Sequence, residues 1–216
     1  AEVPHEELGA VELEGEIEFR GVDFSYGEGE AILQDVNCMI RAGEHVAIVG
    51  PSGVGKTTLV SLILRFYTPS RGEIFFDGIA ASEYRLSSLR QRIGYVSQST
   101  LLLSGTVEEN LRYGNPDASE EEIIAAAKVA GIDDFIVKLP QGYDSKVGEG
   151  GANLSEGQIL RLSIARALIK SPDIVVLDEP TSALDSVVEK TIFDRLPEVL
   201  REKTTFIVAH RLATIQ

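Results

Sequence analysis

A chain of 216 residues with a net charge of −14 can bury a sizeable core, and it lacks the basic footprint of a nucleic-acid binder. Its length suits one domain with room for an inserted subdomain. No apolar run approaches the length of a bilayer span, and the acidic N-terminus is unlike a signal peptide.

Residues 1–14 are acidic, weakly patterned and interrupted by Pro4 and Gly9, as in a tail or linker. The alternation Ile17, Phe19, then Val22, Phe24 predicts an antiparallel strand with one buried face. Tyr26 precedes a turn at Gly27 to Glu30, and Ala31 to Ile40 reads as further strand. Cys38 lies in that apolar stretch and is expected to be a small core residue; as the single cysteine it excludes an intrachain disulfide. After a turn at Ala42-Gly43-Glu44, the run His45-Val46-Ala47-Ile48-Val49 predicts a buried strand.

The stretch Gly50-Pro51-Ser52-Gly53-Val54-Gly55-Lys56-Thr57-Thr58 follows it and leads into an apolar helix start at Leu59. Strand, glycine loop and helix are the context of a G-x-x-x-x-G-K-[ST] phosphate loop. Glycines let the backbone approach a phosphate closely, and successive N–H groups at a helix start form an anion nest. Lys56 then reaches the β and γ phosphates, the Thr57 hydroxyl is a Mg²⁺ ligand, and Thr58 adds a phosphate hydrogen bond.

Pro69 to Gly72 breaks the pattern; Glu73 to Asp77 reads as a strand closed by Asp77-Gly78, and Leu86 to Arg92 as a short helix. Ile93 to Val96 is a strand leading to Gln98. Thr106 to Arg112, Ser119 to Ala130 and Asp133 to Lys138 read as helices, an inserted helical subdomain of about residues 99–170. Ser119-Glu120-Glu121-Glu122 is a capping box, so its acidic run is helix-start chemistry rather than a metal site. Gln141 to Asn153 is a glycine-rich loop, and Leu154-Ser155-Glu156-Gly157-Gln158 opens a long helix through Leu168. Ile174 to Leu177 is the continuous apolar run of a central parallel strand, with Asp178-Glu179-Pro180 at its C-terminal end. Ser186 to Leu200 reads as a helix and Thr205 to Ala209 as another buried strand, ending at His210. Alternating strands and helices predict an α/β fold: a P-loop core with a mostly parallel sheet, an N-terminal antiparallel β subdomain and the helical insertion.

The ordered set of motifs resembles the nucleotide-binding domain of ATP-binding cassette (ABC) proteins, over residues 15–216. Gly50 to Thr58 is the phosphate loop, Gln98 resembles the Q-loop, and Leu154 to Gln158 the signature motif. Ile174 to Asp178 resembles the Walker B strand, followed by Glu179; Ser182-Ala183-Leu184-Asp185 resembles the D-loop and His210 the switch histidine. Val147 to Gly151 and Leu101 to Leu111 resemble segments of the exporter branch.

This resemblance implies ATP hydrolysis with Mg²⁺ held by Thr57, Gln98 and, through water, Asp178. It makes Glu179 the residue that polarises the attacking water, His210 a γ-phosphate contact and Tyr26 the aromatic that stacks on adenine. Ser155, Gly157 and Gln158 would face the ATP held by a second nucleotide-binding domain in a head-to-tail dimer, with Asp185 at the contact. The tail would join a transmembrane domain, placing this domain at the cytoplasmic face of a membrane and binding no nucleic acid. The strands and helices that normally follow the switch histidine are missing after Gln216, which reads as a chain cut short. Glu156, Ile159, Leu160 and Pro180 depart from the usual pattern without removing a catalytic group. The alternatives are a soluble ABC ATPase acting on nucleic acid or ribosomes, which the acidic charge opposes, and a regulatory module without turnover, which intact Glu179 and His210 oppose. An importer subunit is a further alternative, toward which Pro180 leans.

Overall fold

The computed structural model describes residues 12–27, 29–98, 101–148, 151–179 and 199–209. They fall into two compact units, one drawn from Ala1–Ile93, Asp173–Asp178 and Glu202–Gln216, the other from Gly94–Pro172 and Glu179–Arg201. Among the described residues, no helix is long and apolar enough to cross a membrane.

In the first unit the predicted alternation becomes β1 (Ile17–Phe24), which buries Ile17, Phe19, Val22 and Phe24. It pairs antiparallel with β2 (Leu33–Ile40) on one side and β4 (Arg71–Phe76) on the other, and β5 (Ile79–Ala80) completes the order β2-β1-β4-β5. Asp77 and Gly78, at φ 48 and 76°, make the two-residue turn that joins β4 to β5. The Asp77 carboxylate also accepts the backbone N–H groups of Glu14, Gly15 and Glu16 at 2.8, 3.0 and 2.8 Å. Leu13 is buried too, so the last residues of the expected tail are fastened to this unit.

Cys38 does not meet its expectation. It is exposed on β2, which ends the strand order and leaves that face open. The apolar neighbours that suggested a core position include Met39, itself 55% exposed.

The second sheet has the order β3-β10-β9-β6, from His45–Val49, Thr204–Ala209, Ile174–Asp178 and Ile93–Val96. Strand β10 runs parallel to both β3 and β9. Strand β9 is buried at every residue, as its unbroken apolar run predicts. Strand β3 is not the buried strand its composition suggests. It ends the strand order, its residues alternate between exposed and half-buried, and Val49 is 41% exposed. Fully buried Thr204 ties this unit together: its hydroxyl donates to Gly15 O at 2.7 Å and accepts from Gly43 N at 2.9 Å.

The second unit is built on α3 (Val107–Arg112), α4 (Glu120–Val129), α5 (Asp133–Ile136) and α6 (Glu156–Leu168). Leu111, Ile123, Ala127, Ile132, Leu162 and Ala165 share its core. Helices α3, α4 and α6 each open on a reciprocal capping box, at Thr106/Glu109, Ser119/Glu122 and Ser155/Gln158. Fully buried Asn110 uses both amide groups: its oxygen accepts from Leu103 N and Arg166 Nη2, and its nitrogen donates to Leu103 O and Thr106 O. A two-strand ribbon pairs β7 (Gly105–Thr106), at the predicted start of a helix, with β8 (Lys146–Val147), inside the stretch predicted as a loop. The Tyr143 hydroxyl donates to Asp133 at 2.7 Å, and burial together with that carboxylate raises the phenol well above its ordinary pKa.

Gly72 shows how tightly the antiparallel sheet is built. At φ 73° a Cβ there would lie 2.2 Å from the Gly21 carbonyl, where β1 is bulged against β4. Gly78 has a similar φ of 76° but open space around it. Gly72→Ala adds overpacking to backbone strain and is expected to cost about 2–5 kcal/mol. Gly78→Ala carries only the strain, about 1–2 kcal/mol. Urea unfolding of both variants checks the difference; equal losses would contradict it.

Candidate functional site

In the first unit, β3 feeds the glycine loop, and the loop opens α1 (Lys56–Ile63). Gly55 is the N-cap, in the left-handed region at φ 103°, and Gly53 has φ 82°. A Cβ on Gly55 would also press on Leu33 at 2.9 Å. Unlike α3, α4 and α6, this helix has no side-chain cap and no acidic residue in its first turn. Its positive end therefore carries no internal counter-charge, the condition for receiving an outside anion.

Lys56 is 6% exposed, and its ammonium donates to Gly50 O at 2.8 Å and Pro51 O at 3.0 Å. The loop's own carbonyls thus satisfy the lysine, folded back across the residues that precede it. Pro51, Ser52, Val54 and Thr57 are exposed, and the Thr57 carbonyl accepts the Ser61 hydroxyl at 2.8 Å. Thr58 is buried, with its hydroxyl 3.3 Å from that of Tyr26. The structure so brings Tyr26, from the end of β1, to the first turn of α1. Asp178 ends β9, which α1 touches, and its residue is 4% exposed.

In the second unit, Gln98 Nε2 donates to Glu179 Oε2 at 2.7 Å. Glu179 is 9% exposed and has φ 50°, a left-handed backbone that side-chain-bearing residues seldom adopt. Ser155 and Gln158 face each other across the N-terminus of α6: Ser155 N donates to Gln158 Oε1 at 2.8 Å, and Gln158 N to Ser155 Oγ at 3.4 Å. Gly157 is buried, its carbonyl accepting Arg161 Nε at 3.2 Å. Asp185, Pro180 and His210 lie outside the described residues.

Thr57 and Asp178 offer a hydroxyl and a carboxylate, and Gln98 an amide oxygen. Such hard oxygen donors fit Mg²⁺, which takes few protein ligands beside water and phosphate oxygens. Among the described residues no group of three or more His, Cys, Asp or Glu side chains could hold a metal ion.

Sequence reading passed over Tyr67. Its ring lies 5.1 Å from that of Tyr26 and 5.5 Å from that of Phe24. No spacing rule relates residues 26 and 67; only the fold makes them neighbours.

An antiparallel sheet, a parallel sheet with a phosphate loop after its edge strand, and a helical unit define a P-loop nucleotide-binding domain. Residues 33–182 match the ABC transporter family. The chain is 50% identical over 204 residues to an ATP-dependent lipid A-core flippase of Legionella pneumophila, covering 94% of this chain and 35% of that protein. A putative multidrug export ATP-binding/permease protein of Staphylococcus aureus is 50% identical over 203 residues, with coverage of 94% and 35%. A solved bacterial Atm1-family ABC exporter with ATP bound superposes with a TM-score of 0.89 at 43% identity, covering 100% of this chain and 37% of that one. The chain spans about a third of the length of the curated relatives it matches. It belongs to the ABC transporter family and is an ATP-binding ATPase domain of that family.

The Ser155 cap has a structural consequence that is independent of any nucleotide. Ser155→Ala is expected to lower stability by about 1 kcal/mol through loss of the cap. Thermal unfolding without nucleotide reads it; an unchanged midpoint would show that the cap contributes nothing.

Proposed function

We propose that this domain hydrolyses Mg-bound ATP to drive export by a membrane transporter. The observation that carries the reading is the start of α1, an uncapped, acid-free helix end preceded by a glycine loop and flanked by a buried lysine. Lys56 exchanges its two loop carbonyls for β and γ phosphate oxygens, while the backbone N–H groups of residues 53–58 hold the rest of the phosphate chain. Thr57, Gln98 and Asp178 hold Mg²⁺, which when bound offsets phosphate charge. Tyr26 stacks on adenine, and its place beside Thr58 supports that role.

Glu179 orients the attacking water and takes its proton as the water oxygen bonds to the γ phosphorus. The bond from that phosphorus to the bridging oxygen breaks, leaving ADP and phosphate. The Gln98 hydrogen bond holds the Glu179 carboxylate in one orientation beforehand. His210 contacts the γ phosphate. Ser155, Gly157 and Gln158 of a second nucleotide-binding domain close on the same ATP in a head-to-tail dimer. Residues 1–14 join the domain to a transmembrane part at the cytoplasmic face of a membrane. Export is supported by the relatives' own descriptions as a flippase and a multidrug export protein, and by the Atm1-family exporter.

Glu179→Gln tests the chemistry. The amide oxygen still accepts from Gln98, so the fold and ATP affinity are expected to persist while turnover falls by about 10²–10⁴-fold. Phosphate release and equilibrium ATP binding measure the two quantities; turnover within tenfold of wild type would remove Glu179 from the mechanism. With ATP, the same variant is expected to double its mass by light scattering.

A further inference from the structure

Phe24, Tyr26 and Tyr67 form a closed triangle of rings. The centroids are 4.9 Å apart for Phe24 and Tyr26, 5.1 Å for Tyr26 and Tyr67, and 5.5 Å for Phe24 and Tyr67. Tyr26 meets both partners nearly edge to face, at 89° and 84°. Phe24 is 4% exposed and anchors the cluster, whereas Tyr26 and Tyr67 are 45% and 46% exposed. Two half-exposed tyrosines in mutual contact, on a single buried phenylalanine, are more than a core needs.

The chain invests heavily in where Tyr67 sits. Helix α1 ends in a Schellman motif, with Arg65 in the left-handed region at φ 49°, Phe66 N donating to Ser61 O at 2.8 Å and Arg65 N to Leu62 O at 3.0 Å. The Arg90 guanidinium caps the same helix end, Nε to Leu64 O at 3.1 Å and Nη2 to Arg65 O at 2.9 Å. The Arg65 guanidinium is itself fixed on Tyr84 O at 2.7 Å. The turn that follows a rigid helix thus brings Tyr67 against Tyr26, whose hydroxyl meets Thr58 in the first turn of that helix. Tyr26 is held at its ring by Phe24 and Tyr67 and at its hydroxyl by Thr58.

We propose that Tyr67 is a positioning residue for the nucleotide base, holding the Tyr26 ring in the orientation that stacks on adenine. The proposal rests on the reading of Tyr26 as the stacking residue and adds the device that orders it. Without Tyr67 the half-exposed Tyr26 ring keeps Phe24 and Thr58 but loses one of its two ring contacts, and the added rotational freedom has to be removed each time ATP binds. Fixing one such side chain, with loss of one edge-to-face contact, weakens binding by about three- to tenfold.

The test compares Mg-ATP with inorganic tripolyphosphate, which has the phosphates and no base, by calorimetric titration of the intact chain. Tyr67→Leu is expected to weaken ATP about three- to tenfold and to leave tripolyphosphate within twofold, while Tyr67→Phe keeps both affinities. Tyr26→Ala is the control for stacking and should show the same selective loss. If Tyr26→Ala is selective for ATP but Tyr67→Leu weakens both ligands alike, or neither, the positioning role is overturned and stacking stands. An equal loss in Tyr67→Phe would overturn it as well, because the ring would not be the acting group. If Tyr26→Ala fails to discriminate the two ligands, the stacking reading itself falls.

Discussion

The first turn of α1 carries backbone N–H groups that nothing within the helix satisfies. At three other helices the fold closes such ends: Thr106, Ser119 and Ser155 each exchange two hydrogen bonds with a residue three positions on. At Gly55 it does not, and the first turn bears no acid. An uncapped end in a folded protein is an unfavourable arrangement unless water or a ligand completes it. The buried Lys56 ammonium, parked on two loop carbonyls, adds positive charge to the same few residues. In the proposed reading this pairing of open donors and stored charge is what receives the phosphates, and the rest of the first unit keeps both in place.

Helix α1 is short, about 12 Å at eight residues, and is fixed at both ends. Its start is set by the glycine loop and its end by the Schellman turn and the Arg90 cap. Tyr26 reports to both, through Thr58 and through Tyr67. In the proposed reading, the base-stacking ring and the phosphate loop are thus both tied to one stiff element.

What could be read in advance was local. The phosphate loop, the Ser119/Glu122 box, the helix opened by Ser155 and the buried run Ile174–Leu177 each state their structure within a few residues. Asp77-Gly78 was legible as a turn, but the three backbone bonds its carboxylate accepts come from residues more than sixty positions earlier. Long-range pairing hid the rest. Ribbon β7–β8 joins two-residue strands too short to show a period. Strand β3 and Cys38 have apolar neighbours, yet sit on strands that end their sheets, and position within a sheet decides burial more than composition does. The Tyr26–Tyr67 contact belongs to the same group, as does the hydrogen bond from Gln98 to Glu179 across eighty-one positions.

Glu179 occupies a backbone conformation that glycine or asparagine would adopt with less strain. Holding a glutamate there costs about 1–2 kcal/mol, a sizeable part of a domain's margin against unfolding. A library sorted for thermal resilience alone would thus drift toward glycine or asparagine at 179 and discard the carboxylate unnoticed. Under the role proposed for Glu179, any effort to harden this domain has to hold that position constant, because there robustness and chemistry ask for different residues.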